Sequence, residues 1–170
     1  MIGRSLVCLV VLAAAAALPA SAAYRNPTAG SALALQIPGM HRAQVTRGIS
    51  YRRLGRAALR MDVYRPRGMP RSRRLPAVLL GGPPPRAGRL SGQKTGWGQL
   101  IAASGLAAAV FDIRSDRYLR SPALPSADVA AAIAYLRARG PALGVDPNRL
   151  CTLGFSIGTA PWHLHAAMRE

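Results

Sequence analysis

Leu150-Cys151-Thr152-Leu153-Gly154-Phe155-Ser156-Ile157-Gly158 is the stretch on which the reading of this chain turns. Its first residues are apolar or small and follow Asp146-Pro147-Asn148-Arg149, which spells a turn. A short apolar run between turn signals is expected of a strand buried on both faces. Residues 157–168 then carry helical composition. Ser156 therefore falls at a strand-to-helix turn. A turn that tight needs flanking residues without side chains, and Gly154 and Gly158 supply them.

The segments upstream repeat the same grammar. Residues 45–54 and 57–64 alternate around the turn signal Gly55-Arg56, with Leu59, Met61 and Val63 on one face and Arg60, Asp62 and Arg65 largely on the other. That period predicts an antiparallel hairpin. Residues 66–74 hold two prolines, a glycine and four arginines, most simply a solvated turn. Residues 76–80 form an apolar run ended by Gly81-Gly82-Pro83-Pro84-Pro85. A helix is expected over 96–104, stopped at Gly105, and a buried strand over 106–113. Ser126 is a good N-cap for a helix over 127–139, with Asp128 in its first turn and Val129, Ile133 and Leu136 on one stripe. Gly140-Pro141 stops it. Strands alternating with helices predict an α/β fold. A mostly parallel sheet would carry the antiparallel hairpin at its amino end and helices on both faces.

Composition bounds the rest. The chain has 170 residues, half of them hydrophobic, enough for one domain with a core. Residues 1–23 read as a signal peptide: Arg4, an apolar run over 6–18, Pro19, then Ala20-Ser21-Ala22. A secreted or periplasmic protein is expected, with an uncleaved membrane anchor as the alternative and no stable membrane insertion after cleavage. Residues 24–44 read as an extension and 45–170 as the domain. Cys8 falls in the leader, leaving Cys151 without an intrachain disulfide partner. His41, His163 and His165 have no cysteine or carboxylate at ligand spacing, so no metal or cofactor is expected. The formal net charge is +17, with Lys94 the lone lysine. The arginines are spread along the sequence, and five tyrosines and two phenylalanines make no stacking platform. Nucleic acid is not expected as a partner. Acidic envelope polymers or anionic substrates fit the charge better, and the oligomeric state stays open.

The chemistry centres on Ser156 as nucleophile. The backbone N–H of Ile157, at the start of the following helix, can donate to an oxyanion. A second donor should come from the loop after an earlier buried strand, and Gly81-Gly82 holds that place, Gly82 first and Gly81 second. A Gly-Gly turn with a rigid proline exit is the plain alternative.

Several segments taken in order resemble α/β-hydrolases of the secreted esterase/lipase type, near the BD-FAE-like and dienelactone-hydrolase-like groups. They are Met61-Asp62-Val63-Tyr64-Arg65-Pro66, residues 76–82, residues 107–114, residues 128–136, and Asp146-Pro147-Asn148-Arg149-Leu150 through Gly158. The resemblance implies an eight-stranded, mostly parallel sheet. It also implies hydrolysis of a small-molecule ester through an acyl-enzyme, by a triad in the chain order Ser, Asp or Glu, His. Two departures stand out: Leu80 where such proteins carry His, and Pro83 where a third glycine is common. Beyond Ser156 the carboxylate is Glu170, and His163 and His165 lie seven and nine positions on, about 10 Å or more along a helix. They do not fit the base in that geometry. Asp112 and Asp116 precede the serine and read as loop-structuring, paired with Arg114 or Arg117. The chain is thus expected to be an amino-terminal fragment of a serine carboxyl-ester hydrolase. The alternatives are an inactive truncated hydrolase and an exported basic polyanion-binding protein. Peptidases and acyltransferases share the same strand–serine–helix turn, and Trp97 and Trp162 fit either a pocket or the core.

Overall fold

The computed structural model describes residues 35–82, 89–114 and 123–154. The expected leader, most of the extension, and the segment from Phe155 onward lie outside them. After a short 3-10 turn, Met40–Arg42, the hairpin forms as strands β1 (Gln44–Leu54) and β2 (Ala57–Arg65). Strand β3 (Leu75–Gly82), helix α1 (Gly92–Ala103), strand β4 (Ala107–Asp112), helix α2 (Ala123–Arg139) and strand β5 (Val145–Leu153) follow.

The sheet order is β1-β2-β4-β3-β5. Strand β2 is antiparallel to both β1 and β4, while β3 runs parallel to β4 and to β5. The mixed sheet expected from the pattern is present. Burial splits along β4 with the period of two that a pleated strand dictates. Ala107, Ala109 and Phe111 join a cluster with Val129, Ala132, Ile133 and Leu136 of α2. Ala108 and Val110 join another with Ile101 and Ala102 of α1. One helix therefore covers each face. Among the described residues, no helix is long and apolar enough to cross a membrane.

The boundaries shift where tertiary contacts outweigh local signals. Gly81 and Gly82 do not follow β3: they are its last two residues, opposite Phe111 and Asp112. Helix α1 starts at Gly92 because the Ser91 hydroxyl caps the Lys94 N–H at 3.3 Å. Helix α2 starts at Ala123, so Ser126 is inside it and Asp128 lies beyond its first turn. The turn expected at Asp146-Pro147-Asn148-Arg149 is absorbed into β5 as an irregularity. The ladder passes from Leu75 opposite Val145 to Ala77 opposite Leu150, and the Asn148 N–H donates to Asp146 Oδ1 at 3.0 Å.

Helix α1 can lie close on the sheet because Gly98 faces the ring of Tyr64. A Cβ there would sit 2.7 Å from Tyr64 Cδ2. Gly98→Ala should cost about 1–3 kcal/mol through this overlap with a fully buried ring. Urea denaturation followed by circular dichroism measures it, and an unchanged midpoint would refute the close-packing account.

Candidate functional site

Strands β4 and β5 flank β3, and the connections after β3 and β4 lead to opposite faces of the sheet. Open α/β sheets bind ligands where adjacent strands send their connections to opposite faces, outside the carboxyl ends. Here those ends are Gly82 and Asp112, paired in the ladder, with the Ile113 N–H donating to the Gly82 carbonyl at 2.9 Å. Leu80 pairs with Leu153 on the other side, so Gly154, the next residue after β5, arrives at the level of Gly81. The register thus brings the start of the Gly-x-Ser-x-Gly stretch to the glycine pair. Gly81 also has a packing reason to lack a side chain: a Cβ would lie 3.3 Å from Ile113 Cγ2 and 3.4 Å from Phe111 Cζ. Ser156, Ile157 and Gly158 lie outside the described residues, as do Asp116, Arg117, Trp162, His163, His165 and Glu170. Trp97 packs, partly buried, against the α1-side cluster, and Cys151 is half-buried on β5.

Carboxylates and arginines brace this edge. Asp62 was expected on the polar face of the hairpin, yet it is fully buried. A bulge in β1 places Gly48 at φ 69°, where its N–H donates to Asp62 Oδ1 at 2.7 Å. Arg89, which precedes α1, donates to both Asp62 oxygens at 2.9 Å and to Asp112 Oδ2 at 3.3 Å. One guanidinium therefore ties the connection after β3 to the middle of β2 and the end of β4. Asp112 is indeed structural, but its partner is Arg89 and not Arg114. Arg114 instead clasps the fully buried Asp128, with Nη2 to Oδ1 at 2.7 Å and Nε to Oδ2 at 2.9 Å. Its backbone N–H adds a bond to Oδ2 at 3.0 Å. Arg52 completes that group at 2.8 Å. The Tyr51 hydroxyl donates to the Asp112 carbonyl, and its ring meets Phe111 edge-on, with centroids 5.7 Å apart.

Electrostatics follow from burial. Desolvation raises the Asp112 carboxyl above its ordinary range, and Arg89 only partly opposes it. Burial first, then the carboxylates of Asp128 and Asp112, raise the Tyr51 phenol well beyond its usual value, so it stays a neutral donor. The hydrogen bond to Asp128 raises Arg114 further. Arg89 and Asp62 escaped the sequence reading. The one signal was an acid inside an otherwise well-formed strand, and no local pattern tells a solvent-facing acid from one covered by a distant arginine.

Two outcomes follow. Arg89→Gln leaves the buried Asp62 with the Gly48 N–H and the largely exposed Arg47 guanidinium at 3.6 Å. It should cost about 2–4 kcal/mol in urea denaturation, below the range for a fully buried pair because the Arg89 side chain is 14% exposed. Asp112 protonates more readily folded than unfolded, so its contribution to stability declines as pH rises through the ordinary carboxylate range. Asp112→Asn should therefore gain stability relative to the parent chain as pH rises from about 4 to 6. A pH-independent difference between the two, measured by urea midpoints, refutes this.

No family profile matches the chain, and no curated protein matches it. Solved structures do. A thermophilic esterase from the Planctomycetes species Thermogutta terrifontis, in its native form, is 26% identical with a TM-score of 0.54, over 71% of this chain and 42% of that one. Its propionate-bound form gives 26% and 0.54 over 71% and 44%. The same esterase phosphorylated by paraoxon gives 25% and 0.53 over 72% and 45%. The chain thus spans less than half the length of these structures. Together with the sheet order and the helix on each face, the likeness establishes an α/β-hydrolase-type fold.

Proposed function

We propose that this chain carries the nucleophile-bearing part of a serine carboxyl-ester hydrolase acting on a small-molecule ester. The observation that carries the reading is the register that delivers Gly154 beside Gly81-Gly82 at the carboxyl edge of the parallel strands, in a fold similar to an esterase. Ser156 Oγ attacks the ester carbonyl carbon and gives up its proton to a base. The oxyanion is held by the Ile157 N–H, with Gly82 and then Gly81 as the second donor, and Gly154 and Gly158 permit the turn. The alcohol leaves with a proton, and water then releases the acid from the acyl-enzyme. No residue of this chain is assigned as the base or as the acid that orients it. The arginine–carboxylate groups at this edge have a supporting role, holding the connection after β3 in place. The similarity of the fold to an esterase whose structure is known with propionate bound and phosphorylated by paraoxon supports an ester as substrate. The leader over residues 1–23 supports export to the periplasm or medium. The motif order supports the secreted esterase/lipase type.

The test is hydrolysis of a short-chain aryl ester by the 170-residue chain and by Ser156→Ala, with mass analysis after exposure to paraoxon. Whatever turnover the chain shows should be lost in the variant, and the phosphoryl adduct should map to Ser156. Turnover indifferent to Ser156, or an adduct elsewhere, overturns the reading.

A further inference from the structure

Six of the arginines spread along the sequence come together at one edge of the fold. At the amino ends of the parallel strands, opposite the edge just described, the connection between β2 and β3 carries Arg67, Arg71, Arg73 and Arg74, all exposed. Arg139, at the last turn of α2, and Arg42, just ahead of β1, are exposed at the same edge. Asp146, half-buried and already accepting the Asn148 N–H, is the carboxylate nearby. Among the described residues the other three, Asp62, Asp112 and Asp128, are interior and engaged with arginines toward the carboxyl ends.

Four like charges in nine residues would ordinarily splay a loop apart. Here an interior cation holds it together. Arg65 is 4% exposed, and its guanidinium donates to the carbonyls of Met69 (3.3 Å), Pro70 (3.0 Å) and Arg73 (3.1 Å). Backbone turns from Pro66 to Met69 and from Pro70 to Arg73 complete the loop. Gly144 backs the guanidinium so closely that a Cβ would lie 2.5 Å from Arg65 Cζ, and the Leu75 N–H donates to the Gly144 carbonyl at 3.0 Å. The loop and the turn that follows Arg139 are thus one packed unit. Because carbonyls and not carboxylates fold the loop, its positive charge is undiminished. Arg71 also reaches Thr46 Oγ1 at 3.3 Å, tying the loop to β1.

We propose that this edge is a docking surface for a linear phosphate polymer, recognised through its phosphates. Guanidinium forks match phosphate oxygens in pairs, and a prefolded loop loses little entropy on binding. The loop has no aromatic side chain to stack on a base. Its one large apolar residue, Met69, packs inward against the α2-side core, leaving nothing to insert into a bilayer. Occupancy leaves the Gly82 edge open, since that lies at the other end of the strands. The inference stands independently of the hydrolase reading.

The test is fluorescence anisotropy of the full chain with end-labelled inorganic polyphosphate over a range of salt. Arg67→Gln/Arg73→Gln/Arg74→Gln should bind about tenfold more weakly or worse, with the salt slope reduced by about 2. Arg53→Gln/Arg56→Gln/Arg60→Gln removes the same charge from exposed hairpin positions and should retain most of the affinity. Equal losses in the two triple variants would make the effect one of total charge and overturn the proposal. So would loop-dependent binding to phosphatidylglycerol vesicles without binding to polyphosphate, which would assign the edge to a membrane.

Discussion

The burial of β4 on both faces constrains everything around it. β4 is covered by a helix on each side, and Ala107, Ala108 and Ala109 keep the layers close there. Bulk comes from the neighbouring strands: Met61, Val63 and Tyr64 of β2, and Leu79 and Leu80 of β3. Tyr64 in turn demands a glycine where α1 crosses it. The small centre and large flanks fix how far the helices stand from the sheet. They therefore also fix where the connections after β3 and β4 emerge.

At those exits packing gives way to charge. Asp62 and Asp128 are buried acids, each met by arginines from distant segments, and Asp112 lies between Arg89 and the sheet. Removing one partner from such a group costs far more than the intact group contributes. Their value lies in geometry. Arg89 ties the start of α1 to the middle of β2 and the end of β4, and Arg114 ties the end of β4 to α2. The carboxyl ends of β3 and β4 are thereby bordered by fixed groups.

Much of the architecture was legible in the order of segments. Apolar runs at β3, β4 and β5, the alternation of the hairpin and the stripe Val129, Ile133, Leu136 each report a local period, and each became a strand or helix as expected; β5, last in the described sheet, is only half-buried over residues 150–153 where burial on both faces was expected. What stayed hidden depends on residues far apart in sequence. Asp62 looks like a surface acid until Arg89 covers it. Asp128 looks like a helix-start residue until Arg114 claims it. The Asp146–Arg149 turn signal is real chemistry, since Asp146 does accept from Asn148, but pairing with β3 carries the strand through it. The glycine pair was visible as a pair. That Gly154 comes level with it is a matter of register, which no single segment encodes.

The interior placement of Asp62, Asp112 and Asp128 has a consequence for the outside. The charged surface among the described residues is almost wholly arginine, and the lone lysine, Lys94, is buried with its ammonium disfavoured by desolvation. Guanidinium groups keep their proton to beyond about pH 12. A cell that tunes basic proteins by acetylating lysines, or by shifting acidity, would find little here to adjust. The positive charge of the described surface is thus fixed at synthesis, and ionic strength is what screens it.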